Sequence, residues 1–124
     1  MKVVDELMQT AVADVELLRK LDSQGDRFGI FRDVEFLLRA PTAEKASTVA
    51  SFINEYRYGV ATPQDLETSP SVLVVVHMPI EQHIVQSVSG FMVCVSQLFG
   101  LEYDGWGCVV QTAHPSRLAS QLQR

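Results

Sequence analysis

The stretch Leu101-Glu102-Tyr103-Asp104-Gly105-Trp106-Gly107-Cys108-Val109-Val110 contains the only tryptophan of the chain and follows its longest segment without charged residues. Side chains alternate between the two faces of a strand, so a strand here has one glycine-rich face and one face with a ring beside a carboxylate. The predicted faces are Tyr103, Gly105, Gly107 and Val109 on one side and Asp104, Trp106, Cys108 and Val110 on the other. Asp-Gly is also a hairpin signal. We favour a continuous strand over a turn at Asp104-Gly105, because only three residues separate that dipeptide from the preceding helix.

The composition is that of an ordinary globular protein, with 124 residues, 47% hydrophobic residues and a net charge of -5. We expect one domain over residues 1–124, with an N-terminal helix over 3–21, a core over 27–111 and a tail over 112–124. No basic stripe is present, which disfavours direct binding to nucleic acid. We expect a cytoplasmic protein in which Cys94 and Cys108 stay reduced, since the N-terminus does not resemble a signal peptide.

The segment from Gln82 to Leu101 has no charged residue and is long enough to span a membrane. Polar residues interrupt it, however, and its apolar positions form a stripe along one side of a helix. We therefore predict a packed helix and no membrane span. The other side of that helix is uncharged and mostly small. It is predicted to be an interface, to lie under another element, or to be simply buried.

Hydrophobic periodicity predicts the remaining elements. The spacing of apolar residues indicates a helix over 3–21, a strand over 31–38, a helix from Thr42 to about Tyr56, a short strand over 58–61, a loop over 62–70, a strand over 71–78 and a helix from Pro79 to Phe99. Thr42 is a good N-cap residue. The unbroken apolar run over residues 72–76 predicts a central strand shielded on both faces. The N-terminal helix is the predicted cover of the second face, and a second subunit is the alternative.

This order of elements, with right-handed crossovers, predicts a ferredoxin-like α+β sandwich. Its antiparallel sheet would have four strands in the order 4-1-3-2, with two helices on one face. The first and third strands would be central, which agrees with their being the most apolar.

Two segments resemble the regulator of ribonuclease activity B family. The first is Tyr-Asp-Gly-Trp-Gly over residues 103–107, after a helix that ends in Gly-Leu-Glu. The second is Arg-Asp-Val-Glu-Phe-Leu-Leu over residues 32–38, followed by Pro-Thr-Ala-Glu-Lys-Ala over 41–46. The resemblance covers roughly residues 27–110. It implies the same sandwich fold and a small protein that binds and restrains ribonuclease E, the large bacterial RNA-degrading endonuclease.

The sequence offers few candidates for catalysis. His77, Glu81 and His83 are close in sequence, but a strand residue and a helix residue lack the fixed spacing of a metal-binding pair. Neither cysteine has a base placed beside it, and no glycine loop precedes a helix in the manner of a phosphate site. We therefore expect no enzyme activity, no metal and no cofactor.

Two classes of function remain. The first is a protein-binding regulator whose acidic and aromatic surface binds a basic segment of a ribonuclease. The residues predicted to bind the partner are Asp33, Glu35, Glu102, Tyr103, Asp104, Gly105, Trp106 and Gly107. The second is a small-ligand sensor of the amino-acid-binding type, with ligands at the interface of a homodimer. This second class is suggested by the uncharged face of the third helix and by Gly105 and Gly107, which leave the strand surface open.

Overall fold

The computed structural model describes residues 1–66 and 69–112 and confirms the predicted α+β sandwich. Its elements are α1 (Lys2–Ser23), β1 (Arg32–Arg39), α2 (Ala43–Glu55), β2 (Val60–Leu66), β3 (Ser69–Met78), α3 (Gln82–Phe99) and β4 (Glu102–Gly107). The antiparallel sheet has the order β2-β3-β1-β4, which is the predicted order read from the other edge. The predicted tail over 112–124 falls outside the described residues apart from Thr112, which lies in no helix or strand.

Local sequence signals explain where the helices begin and end. The Thr42 side chain accepts a hydrogen bond from the backbone N–H of Lys45, as expected for an N-cap. Helix α3 ends at Gly100, whose φ of 75° is a left-handed conformation that glycine adopts at little cost. Within the described residues, no helix is both long and apolar enough to cross a membrane.

The prediction of a loop over residues 62–70 was wrong for most of its length. Strand β2 continues to Leu66 and β3 begins at Ser69, so the two strands form a long hairpin. Pro63 is tolerated because β2 is an edge strand, where one side of the backbone needs no partner. Pro70 is tolerated because it lies near the start of β3, just beyond the residues that pair with β1.

The core lies between the sheet and the helices. It is built from alternate residues of the central strands, including the fully buried Val34, Phe36 and Leu38 of β1 and Val72 and Val74 of β3. Helix α2 packs over β2 and β3, and α3 packs over β1 and β4. This arrangement leaves the other face of the sheet, which carries the alternate residues of each strand, without a covering helix in the described part of the chain.

The N-terminal helix does not cover that second face, so this prediction was wrong. Helix α1 instead packs against the outer side of α3. Gly90 of α3 faces α1, since a β-carbon there would lie at an ordinary contact distance of 3.5 Å from Leu7 Cδ2. Gln86 reaches the Ala11 carbonyl, and Val93 is buried. The uncharged side of α3 thus lies under another element, one of the alternatives that the sequence left open.

Candidate partner-binding surface

A β-bulge in β4 sets the direction of every side chain in the Tyr-Asp-Gly-Trp-Gly stretch. Phe36 of β1 pairs with Trp106, and Leu38 pairs with Tyr103, so two residues of β4 stand opposite one residue of β1. The extra residue is accommodated at Gly105, which has a φ of 97°. Residues with a side chain rarely adopt this conformation, whereas glycine adopts it at little cost. The bulge therefore turns Tyr103 and Trp106 to the same face, towards the helices. The predicted strict alternation was wrong, because a bulge breaks the period of two.

Trp106 forms a hydrogen-bond network beneath α1. Its indole Nε1 donates to Asp14 Oδ1 at 2.9 Å, and the Ser89 hydroxyl donates to the same oxygen at 3.2 Å. The Tyr103 hydroxyl lies 3.3 Å from Ser89 Oγ. The carboxylate beside the tryptophan is thus Asp14 of α1 and not Asp104. Sequence analysis missed Asp14 because its contacts come from α3 and β4, far along the chain.

Burial controls the protonation of this network. The pKa of Asp14 is raised above its ordinary value of 3.8, mainly because burial disfavours the carboxylate. Hydrogen bonds from Trp106 and Ser89 oppose that shift. The second oxygen, Oδ2, is buried with no hydrogen-bond partner among the described residues, which further disfavours a charge there. Burial also raises the pKa of the Tyr103 hydroxyl.

We expect the contribution of Asp14 to stability to fall as the pH rises from about 3.8, the ordinary pKa of aspartate, through the raised pKa of Asp14. The unfolded chain releases the Asp14 proton over this range while the folded chain retains it, so the unfolded state is favoured. Asp14→Asn keeps an oxygen acceptor without a charge, and it should remove this part of the pH dependence. Urea unfolding at several pH values measures the difference.

Asp14→Ala is the companion variant, because it removes the acceptor for both Trp106 and Ser89. It should lower the free energy of unfolding by about 1–3 kcal/mol, since it leaves buried donors unpaired. An Asp14→Asn variant with the pH dependence of the unchanged protein would contradict the account of this buried carboxyl.

Asp104 points away from the helices, on the open face of the sheet. Its carboxylate accepts hydrogen bonds from Arg39, with Nε at 3.0 Å. Both side chains are well exposed, at 43% for Arg39 and 41% for Asp104. The pair is therefore screened by solvent and contributes little to stability. Its carboxylate remains accessible to a partner.

The open face brings together the four acidic residues that the sequence singled out. Asp33 and Glu35 lie on β1, and Glu102 and Asp104 lie on β4, all of them exposed. Arg39 is the one lysine or arginine among the residues whose side chains form this face in the described strands. His77 of β3 contacts Asp33, with its Nδ1 3.0 Å from Oδ1. The surface is thus acidic, as a basic protein segment would require.

The centre of the open face is apolar, which the sequence analysis did not predict. Leu37 pairs with Leu73, and Val60 pairs with Val75 beside them. Leu37, Leu73 and Val75 are half-buried, while Val60 is 67% exposed. The unbroken apolar run over residues 72–76 was the available signal. It was interpreted as a strand covered on both sides, but within residues 1–66 and 69–112 helices cover one side only.

The polar residues considered for catalysis are dispersed in the structure. Within residues 1–66 and 69–112, no three His, Cys, Asp or Glu side chains are grouped closely enough to hold a metal ion. His83 is exposed on α3, while His77 contacts Asp33 on the sheet. Cys94 and Cys108 are free and partly buried. Burial raises the pKa of the Cys108 thiol, which opposes formation of a reactive thiolate.

Comparison with known families decides the class of protein. A sequence model of the regulator of ribonuclease activity B family matches residues 12–108. The chain belongs to this family. The match confirms the resemblance, and it extends beyond the resembling segments into the second half of α1. No curated protein matches the chain. In this member of the regulator of ribonuclease activity B family, the matched region includes Asp14, Ser89, Tyr103 and Trp106, the four residues of the network beneath α1.

Proposed function

We propose that this chain is a non-catalytic regulator that binds ribonuclease E and restrains its cleavage of RNA. The family match over residues 12–108 carries this proposal, because the family is described by its regulation of ribonuclease activity. The acidic open face of the sheet supports a protein partner with a basic segment. Direct contact with RNA is disfavoured by the net charge of -5 and by the acids on that face.

The eight residues predicted to bind the partner would act in three ways. The exposed carboxylates of Asp33, Glu35, Glu102 and Asp104 would attract and bind basic side chains of ribonuclease E. Tyr103 and Trp106 would hold β4 and α1 in place, because their polar atoms bond to Ser89 and Asp14. Gly105 and Gly107 would keep the sheet surface accessible. Electrostatic attraction of this kind speeds association and weakens as salt is added.

Capture and inhibition of purified ribonuclease E test the proposal together. The full chain should be retained by immobilised ribonuclease E, less well at high salt, and should slow cleavage of a fluorescent RNA. A double variant, Glu35→Gln with Asp104→Asn, should weaken capture by about tenfold or more. Glu44→Gln, an exposed acid in the first turn of α2, is the matched control and should change nothing. If the chain showed no capture and no inhibition at micromolar concentration, the proposal would be contradicted.

The small-ligand alternative can be tested with the same protein. The uncharged side of α3 suggested it, and that side is accounted for by its contacts with α1. No free amino acid should therefore raise the melting temperature. A rise in melting temperature with one amino acid, and no capture by ribonuclease E, would favour a ligand sensor instead.

A further inference from the structure

A shallow depression lies on the open face beside the bulge of β4. Its volume is about 410 Å³, close to the lower end of the range for small-ligand sites. Residues of all four strands line it: Gln64, Leu73, Glu35, Leu37, Asp104, Gly105, Trp106 and Gly107. Leu37 and Leu73, paired across β1 and β3, contribute apolar side chains to it. The depression is therefore an apolar recess within an acidic surface.

The recess lies where β4 has two glycines, Gly105 and Gly107, which contribute no side chain to it. A β-carbon added to Gly105 or Gly107 would meet no atom within 4 Å. The intervening Trp106 ring is turned to the helix side, where its indole bonds to Asp14. Leu37, opposite Asp104 and Gly105 at the bulge, therefore lines the recess beside the two glycines. An apolar group from another molecule could contact Leu37 there and exclude water.

Charged groups border the recess on the β1 and β4 side. Glu35 lies between Val75 and Gly107 in the sheet, and no ion-pair partner for it is found in the described residues. Asp104 lies on the same side and forms an ion pair with Arg39. A carboxylate with apolar neighbours and no cation of its own is suited to bind a cation of a partner.

We propose that this recess binds a large apolar side chain of the protein partner, and that Glu35 and Asp104 bind lysine or arginine residues next to it in the partner sequence. The partner segment is thus amphipathic and basic, with an apolar residue between cations. The inference rests on the proposed function for the protein that carries the segment. It adds the location of the binding site and the type of partner segment that binds there.

The charge of the surface distinguishes this occupant from a second copy of the chain. A symmetric dimer through this face would bring together two copies of a surface that carries four exposed acids and one arginine. Like charges across an interface cost free energy, and Arg39 is already paired with Asp104. A basic segment instead neutralises these carboxylates while it covers the apolar centre.

Gly107→Leu fills the recess without straining the backbone, because the φ of Gly107 is not positive and its β-carbon position is open. Gly29→Leu is the matched control, since a β-carbon at Gly29 also has open space and an unstrained backbone, and Gly29 does not line the recess. The probe is a short fluorescent peptide in which leucine and tryptophan alternate with lysine and arginine. Two companion peptides have serine for the apolar residues or glutamate for the basic ones. Fluorescence anisotropy measures the affinities.

The parent peptide should bind the unchanged protein, and each companion should bind at least about tenfold more weakly. Gly107→Leu and Glu35→Gln should each weaken the parent peptide by about tenfold, while Gly29→Leu leaves it unchanged. Glu35→Gln provides the test if Gly107→Leu fails to fold. The proposal is overturned if the serine peptide binds equally well, if neither variant weakens binding, or if the parent peptide does not bind. Self-association that Gly107→Leu abolishes would identify a second copy as the occupant and overturn it as well.

Capture by ribonuclease E with the same variants separates this inference from the proposed function. If ribonuclease E binds the unchanged protein and Gly107→Leu equally, the recess is not the site, although the regulatory function stands. If the peptide binds in the recess but ribonuclease E is never captured, the recess is a binding site and the proposed partner is wrong.

Discussion

Arg32→Ala is expected to lower the free energy of unfolding by about 3–5 kcal/mol, the largest single effect that we predict. The Arg32 guanidinium is buried and bonds both oxygens of Asp26, at 2.6 and 2.9 Å. It also donates to the carbonyl oxygens of Arg27 and Val109. Its removal leaves the Asp26 carboxylate charged and buried without its cation, because the Asp26 side chain is 0% exposed. Urea unfolding followed by circular dichroism measures the loss.

The exposed pair of Arg39 and Asp104 provides the matched control. Arg39→Ala removes the same type of side chain from an ion pair of similar length, but that pair is more than 40% exposed on both sides. It should cost about 1 kcal/mol or less. Equal losses for Arg32→Ala and Arg39→Ala would show that burial of the Arg32 pair has no energetic consequence.

Trp106→Ala is expected to lower the free energy of unfolding by about 3 kcal/mol, because a large ring packed against the core is removed. Asp14 also loses its 2.9 Å hydrogen bond from the indole. Trp106→Phe keeps most of the ring and loses only the N–H group, so it should cost about 1 kcal/mol. The same unfolding measurement applies to both variants.

Partner binding distinguishes a supporting role of Trp106 from direct contact. Its indole N–H is directed to Asp14, so Trp106→Phe should change the affinity for ribonuclease E by less than about twofold. If Trp106→Phe left stability unchanged but abolished capture, the tryptophan would be a contact residue and the described role would be wrong.

The fold could be predicted from the sequence because each element carries its own signal. The period of two in residues 32–38 and the helical period in residues 84–99 indicate which residues face the core. Thr42 and Gly100 fix the ends of two helices. Chain order and crossover handedness then leave few ways to arrange four strands and two helices. The observed order β2-β3-β1-β4 follows from these constraints.

The candidate surface could be predicted only in part, because it depends on contacts between distant residues. The acids of β1 and β4 were identified from strand alternation and lie on one face as exposed residues. The direction of the Trp106 side chain could not be predicted in this way, because Gly105 adopts a left-handed conformation that reverses the alternation of side chains. The position of α1 was also mispredicted, because the apolar stripe of this helix could be buried either on the second face of the sheet or against α3. The buried polar contact of Asp14 with Ser89, which links α1 to α3, was not apparent from the sequence.

The two edge strands of the sheet have a consequence for assembly. Pro63 interrupts the donor pattern of β2, and the bulge at Gly105 bends β4 at the opposite edge. Irregular edges of this kind oppose the stacking of strands from successive molecules into a continuous ribbon. The protein can therefore expose the apolar centre of its acidic face while the borders of the sheet resist polymerisation into fibres.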